Sequence, residues 1–300
     1  MAQIIKDGIH ILIDLQGHTG RNRLPVFLYQ PAPVQASWLS PGSTGIQEID
    51  YYIGSPYLIP EGKEKHFVEQ VLRLPEVGAC FTPPDFELPV NDLPAESNNF
   101  ITFGCFNKLI KMNDRVVALW GRILSAVPNS KLFLKSWVLS NQKMVAHTQQ
   151  RFKHYDIDPS RLTLQGWSAS RKESLQAYHQ VDIALDPFPF QGHTITCEAV
   201  WMGVPVLVLK GDRILFHSGE NVNYNLGMDD WVAENQDQYL SQAVMFSSDL
   251  DRLATIRRNL RQQALKSPLF DAPRLAVHFS RLLWQMWSES NPDNNPRLVE

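Results

Sequence analysis

The sequence predicts an α/β protein whose more regular half is a parallel sheet flanked by helices on both faces. The main observation behind this is periodicity. From residue 100 onward, short β-rich runs alternate with stretches of helical spacing, at the interval of βαβ units. The second observation is composition: 44% apolar and 20% charged residues over 300 positions is a soluble globular balance, with room for one large or two ordinary domains. The third is what is missing. No apolar run approaches membrane-spanning length, so no membrane association is expected. A net charge of −3 argues against a broad phosphate-neutralising surface and against nucleic acid as the main ligand.

In chain order, "GIHILIDL" (Gly8 to Leu15) predicts a buried strand. It starts almost at the first residue, so the first lobe is expected to be partial. Lys6 and Asp7 interrupt the apolar stretch before it, which makes a poor signal peptide. "GHTGRNRL" follows as a loop. Residues 25–95 hold many of the prolines, and 80–99 read as a linker with "PAESNN" its most polar part. "FITFGCF" then predicts a strand. "NDRVVALWGRILSAVP" predicts a helix, from apolar residues at Val116, Leu119/Trp120, Ile123 and Val127 with Asn113 or Asp114 as N-cap. "KLFLKSW", "RLTLQGW", "VDIALD" and "VPVLVL" predict further strands. Helices are predicted over 140–154, in "RKESLQAYHQ", over 195–202, and as amphipathic stretches over 236–265 and 272–288. The expected division is a partial N-terminal lobe with linker over 1–95, a Rossmann-like lobe with C-terminal helices over 96–288, and a disordered tail over 289–300. Cys80, Cys105 and Cys197 have neither metal nor redox spacing, which points to reduced thiols and a cytoplasmic location.

Ligands of open parallel sheets bind beyond the carboxyl ends of the strands. After the first strand of the regular half comes "NKLIK", with Lys108 and Lys111. After the third comes "GWSASR", with Ala169 and Arg171; after the fourth, "PFPFQGHT"; after the fifth, "KGDR". This cationic, hydroxyl-rich set meets a helix N-terminus, whose N–H groups and dipole favour an anion. His193, Thr194 and the surrounding backbone would hold a phosphate. Glu198, one helical turn beyond Thr194, can accept hydrogen bonds from vicinal hydroxyls such as those of a ribose. Taken alone, the lysines read as solvated surface, His193 as a cap or packing residue and Glu198 as a first-turn acid. Their conjunction at successive strand ends points to a nucleotide or nucleotide sugar. No G-x-G-x-x-G and no P-loop is present. "DID" (Asp156 to Asp158) has the form of a metal-bound nucleotide-sugar site, but Pro159 and Ser160 make it a turn, and no metal is expected.

At these residues a family emerges. "FGCFNKLIK", "GWSAS", "VDIALDPFPFQGHTITCEAVWMGVPVLVL", "KGDR", "KSPLFD" and "WQMW" resemble the catalytic region of O-GlcNAc transferases, glycosyltransferase family 41, in its bacterial form. "GIHILIDLQGHTGRNRLPVFLYQPAPVQASWLSPGSTG" resembles the end of that family's N-terminal catalytic lobe. The resemblance extends to about residue 288. It implies a GT-B architecture of two Rossmann-like lobes, with the donor lobe complete and the N-terminal lobe partial. It also implies inverting, metal-independent transfer of GlcNAc or a related sugar from a UDP-sugar to Ser or Thr of a protein, with no cofactor.

By match to the family's motifs, Lys111 would contact the diphosphate and stabilise the leaving UDP. Lys108 would also touch UDP, Ala169 would meet the uracil through its backbone, and Arg171 would reach the nucleotide. His193 and Thr194 would hold phosphate, and Glu198 the ribose. His18 and Thr19 match a loop facing the acceptor cleft. The departures are a missing first half of the N-terminal lobe, missing tetratricopeptide repeats, and "Trp38-Leu39-Ser40-Pro41-Gly42" for the family's "W-L-G-Y-P-G". "ILFHSGENVNYN" (Ile214 to Asn225) also replaces a small-residue helix start. These leave two alternatives: a UDP-binding relative without turnover, and a relative using UDP-glucose or GDP-fucose.

Overall fold

The computed structural model describes residues 1–40, 42–213 and 216–291. The chain divides into two compact units, one formed by Met1–Cys80 with the segment from Asp271 onward, the other by Phe81–Phe270. The first opens with α1 (Ala2–Lys6), β1 (Ile11–Asp14), β2 (Val34–Trp38), β3 (Tyr51–Gly54) and β4 (Gln70–Arg73). The second runs through α2 (Pro94–Asn98), β5 (Thr102–Cys105), α3 (Asp114–Ala126), β6 (Lys131–Lys135), α4 (Gln142–Lys153), β7 (Leu162–Gln165) and α5 (Arg171–Gln176). It continues with β8 (Ile183–Leu185), α6 (Thr194–Trp201), β9 (Val206–Leu209), α7 (Ser218–Leu226), β10 (Val232–Ala233), α8 (Gln236–Ser248) and α9 (Leu250–Leu265). α10 (Ala272–Ser290) belongs to the first unit again.

The first unit is a parallel sheet in the order β1-β2-β3-β4. β1 is the strand read from "GIHILIDL". It ends at Asp14, whose carboxylate accepts from the amides of Gln16 (3.3 Å) and Gly17 (2.8 Å) and so turns the chain out of the sheet. β2 and β3 are buried almost throughout. Strands covered on both faces lack alternation, and at four or five residues among prolines they leave no periodic trace in the sequence. Val34, Ala36, Ile53 and Leu72 of this sheet pack against Leu282 and Met286 of α10, and the Trp38 ring lies 4.4 Å from that of Phe279. α10 is amphipathic as its spacing predicts, but the expected boundaries require correction. This helix belongs to the first unit, not to a 96–288 lobe. Of the tail expected from 289, residues 289 and 290 finish α10, and 292–300 lie outside the described residues.

The second unit is a six-stranded parallel sheet in the order β10-β9-β8-β5-β6-β7. The winding direction reverses between β5 and β8, which pair through Phe103 and Ile183. That reversal is the topological switch point of a doubly wound fold. α3 starts where the sequence places it: Asn113 caps it by accepting from Val116 N at 3.1 Å, and Val116, Trp120 and Ile123 are buried. The long amphipathic stretch over 236–265 is two helices, because Asp249 leaves helical geometry and its carboxylate caps α9 at Arg252 N (3.0 Å). The "DID" segment is a turn, with Asp158 accepting from Ser160 N at 2.8 Å.

The expected linker over 80–99 is corrected too. From Phe81 it is part of the second unit, and "PAESN" is α2. It is anchored by Arg257, 0% exposed, which donates to Asn91 O (2.8 Å), Asn91 Oδ1 (2.6 Å) and Val181 O (2.7 Å). Asp182 adds to the anchor, accepting from the amides of Ala95 (2.9 Å) and Thr102 (2.8 Å).

Candidate functional site

The site grows from the switch point. β5 runs out into Phe106 and Asn107, and a 3-10 turn over Leu109–Lys111 brings the lysine back toward the end of β8. The Lys111 ammonium donates to Asn107 Oδ1 (2.9 Å) and to the Gln191 carbonyl (2.8 Å), and lies 4.6 Å from the Phe190 ring centre. Burial pulls its pKa below the ordinary lysine value, and Asp186 opposes that pull. Two of its three donors are thereby committed to neutral oxygens, which hold a cation in place without discharging it.

Asp186, 2% exposed, anchors the loop that leads to α6. Its carboxylate accepts from Gly192 N (2.9 and 3.0 Å) and from Asn107 Nδ2 (3.3 Å). Burial raises its pKa to about 7 against these hydrogen bonds and the Lys111 charge, which lower it. Position 192 is tight, since a Cβ there would stand 2.9 Å from Thr196 Oγ1, 3.0 Å from Asp186 Oδ1 and 3.1 Å from Asn107 Nδ2, so these side chains would have to shift for any larger residue. Gln191 closes the far side, with Nε2 donating to Leu209 O (2.6 Å) and Oε1 accepting from Gly219 N (2.7 Å). Three strand ends and the mouths of α6 and α7 are thus tied into one network.

α6 opens at this network. His193 is its N-cap and offers no side-chain hydrogen bond to the first turn. The initial amides are therefore free of a capping group. The surrounding protein pushes the His193 imidazole below its ordinary pKa, toward the neutral form. Thr194, the first residue of the helix, is exposed. The helix closes at Gly203, whose φ of 75° is a left-handed conformation that glycine adopts without steric cost, and β9 follows at once. Glu198 faces a cleft of about 420 Å³ that is also lined by Lys135, Trp137, Trp167, Ala169 and Arg171. Burial raises the Glu198 pKa, and Arg171 counters it.

The residues singled out from sequence therefore fall into four groups. Lys111 donates to the Gln191 carbonyl, two residues before His193 in the loop that leads into α6 and its first residue, Thr194. Glu198, Ala169 and Arg171 share the cleft. The Ala169 amide donates to Glu173 Oε2 (2.8 Å). Lys108 is exposed at the start of the turn. His18 and Thr19 belong to the first unit, in the exposed loop after β1, where the Thr19 hydroxyl donates to Gln16 O (2.8 Å). Among the described residues, no three His, Cys, Asp or Glu side chains are grouped to hold a metal ion.

Sequence reasoning missed Asn107, Asp186, Gln191 and Lys135. Each sits within or beside a motif that was singled out, and a polar residue placed at the end of an apolar strand was the available signal. It also missed Glu220, 3% exposed, which accepts from Gln191 Nε2 (3.2 Å) and pairs with His217 Nδ1 (3.1 Å). "ILFHSGENVNYN" only marked a departure there, and Ile214 and Leu215 lie outside the described residues.

Comparison with known proteins identifies the family and the fold. The chain matches the family model of glycosyl transferase family 41 over residues 1–79 and 91–279. It is 35% identical over 298 residues to the SPINDLY protein of Solanum lycopersicum, a probable UDP-N-acetylglucosamine–peptide N-acetylglucosaminyltransferase. That alignment covers 99% of this chain and 32% of the relative. It is 30% identical over 307 residues to the SEC protein of Arabidopsis thaliana, which carries the same description, covering 96% of this chain and 30% of the relative. The chain thus spans about a third of the length of the curated relatives it matches. A mutant O-GlcNAc transferase of Thermobaculum terrenum superimposes with a TM-score of 0.87 at 30% identity, covering 96% of this chain and 55% of that one. The pneumococcal O-GlcNAc transferase GtfA, at 13% identity and a TM-score of 0.57, shares the fold. The expected GT-B class stands, and with three-quarters and more of its length carrying the family's pattern, this chain belongs to glycosyl transferase family 41.

Proposed function

We propose that this chain binds a UDP-sugar and transfers the sugar, GlcNAc in the first instance, to a Ser or Thr hydroxyl of a protein acceptor. The observation that carries the reading is the Lys111 ammonium held against the loop that opens α6. In the transfer, the acceptor oxygen bonds to the anomeric carbon as the bond from that carbon to the diphosphate oxygen breaks, inverting the centre, and the hydroxyl proton passes to the departing diphosphate or to solvent. Negative charge accumulates on the departing diphosphate. In this reading Lys111, the uncapped amides of α6 and the Thr194 hydroxyl stabilise that charge, and the fixed hydrogen bonds of Lys111 support the assignment. Neutralisation by these groups calls for neither a metal ion nor a cofactor.

Glu198 receives the ribose hydroxyls in this reading. The Ala169 carbonyl, Arg171 and Lys108 complete the nucleotide contacts, and His18 and Thr19 are assigned to the acceptor side. The names of the SPINDLY and SEC relatives support the donor and the acceptor class. No helix among the described residues is long and apolar enough to cross a membrane, and a reducing, cytoplasmic setting suits the cysteine spacing.

The test is incubation with UDP-GlcNAc, UDP-glucose or GDP-fucose and a protein acceptor mixture, following nucleotide release and sugar on Ser or Thr. Transfer from UDP-GlcNAc supports the reading, whereas transfer only from another donor replaces the sugar. UDP binding without transfer from any donor reduces the chain to a nucleotide-binding relative.

A further inference from the structure

The cleft beside α6 holds a group that the proposed reaction does not use. Lys135 is the last residue of β6 and is only 6% exposed, yet it lines the cleft. Its ammonium donates to the Gly166 carbonyl (3.2 Å) and to the Ser168 hydroxyl. An ammonium has three donors, and these bonds use two. The third donor has no protein acceptor among the described residues, so it is left to water or to an oxygen acceptor that enters the open cleft, with the Glu173 carboxylate acting on the same ammonium through space.

The walls of the same cleft carry Trp137 and Trp167, which are 66% and 74% exposed. Large indole faces left in water on both loops of one cleft form a platform for a flat, π-faced ligand. Both loops are also clamped. The Trp167 amide donates to Ser140 Oγ at 2.8 Å, and the backbone of Gly166 lies directly against Ser140. The platform is thus set by backbone contacts and does not depend on Lys135 alone.

Bases differ in what they present to such a donor. Uracil, like thymine, shows a carbonyl oxygen at position 4 and guanine one at position 6, whereas cytosine and adenine show amino groups at those places. At that position an ammonium can donate to the first pair, whereas the second sets an amino donor against it and leaves only the neighbouring ring nitrogens to accept. We propose that Lys135 is the specificity-determining residue of a nucleobase subsite that accepts a keto base, uracil or guanine, and rejects an amino base, with Trp137 and Trp167 supplying the stacking faces. This deepens the reading of the chain as a nucleotide-sugar enzyme and rests on it.

Calorimetry with UDP, GDP, CDP and ADP on the full chain tests the inference. The wild-type protein is expected to bind UDP or GDP at least about tenfold more tightly than CDP or ADP, the scale of one charge-assisted hydrogen bond. The UDP and GDP arms decide which keto base is preferred. Lys135→Met is expected to erase most of that preference by weakening the keto nucleotides alone, while Lys135→Arg retains it. Trp167→Ala should weaken all four by a similar factor of about ten.

Equal binding of UDP and CDP by the wild type overturns the inference and needs no variant, so a misfolded Lys135→Met leaves it decidable. An equal loss for all four nucleotides in a folded Lys135→Met makes the lysine a loop staple and overturns it as well. Failure of every nucleotide to bind overturns the nucleotide-sugar reading itself, which is a distinguishable result.

Discussion

Lys111 is legible in sequence only as a cation after a strand, and in space it becomes the hub of the site. Its bonds to Asn107 and Gln191 hold the ammonium in a defined place. Lys111→Ala is therefore expected to weaken UDP binding by about 10- to 100-fold, corresponding to roughly 1.5–3 kcal/mol for a charge-assisted hydrogen bond. A calorimetric loss below about threefold would contradict its role. Asp186 makes a second prediction. Burial raises its pKa from 3.8 to about 7, so the folded protein binds this proton more tightly than the unfolded chain does. Its contribution to stability is full below about pH 4 and is lost as pH rises through 7. Asp182, raised to about 6 by burial, acts in the same direction. Asp186→Asn carries no charge at any pH. Urea unfolding should show wild type losing stability relative to this variant between pH 4 and 7, with a constant difference above about pH 8. A difference independent of pH would refute the assignment.

At the scale of elements, the two halves of the chain were unequally readable. α3 is announced by its apolar spacing and its Asn113 cap, and β5 through β9 by short apolar runs at regular intervals. β2 and β3 are not, because short strands covered on both faces carry neither alternation nor length, and β4 is four residues long with only Leu72 buried. α10 shows the converse case. Its apolar stripe through Leu275, Phe279, Leu282 and Met286 is plain in sequence, but an apolar stripe does not name the surface it will cover. That surface is a sheet formed some 200 residues earlier in the chain. Leu282→Ala and Met286→Ala, at 7% and 0% exposure, should each lower the stability of the first unit by about 2–5 kcal/mol in urea titrations. Losses under about 1 kcal/mol would mean that α10 is not a core element of that unit.

Over the whole molecule, the residues assigned to the donor fall in one unit and His18 and Thr19 in the other. If that division of labour holds, His18→Ala should leave UDP affinity within about twofold of wild type and yet reduce transfer to protein. Calorimetry and a transfer assay on the same preparation read the two effects separately. A loss of UDP affinity comparable to that of Lys111→Ala would move His18 to the donor side.

By itself the sequence determined the α/β class, the order of elements from β5 to β9, and the candidate anion site around Lys111, His193, Thr194 and Glu198. Those features follow from local periodicity and from residue chemistry at strand ends, both of which survive in one dimension. Only the tertiary structure decided the rest: the strand order that puts β5 beside β8, the return of α10 to the first sheet, and the burial that makes Asp186 and Lys135 consequential. Strand order and burial are set by contacts between residues far apart in the chain. A charge in a sequence does not record how much water will be left around it.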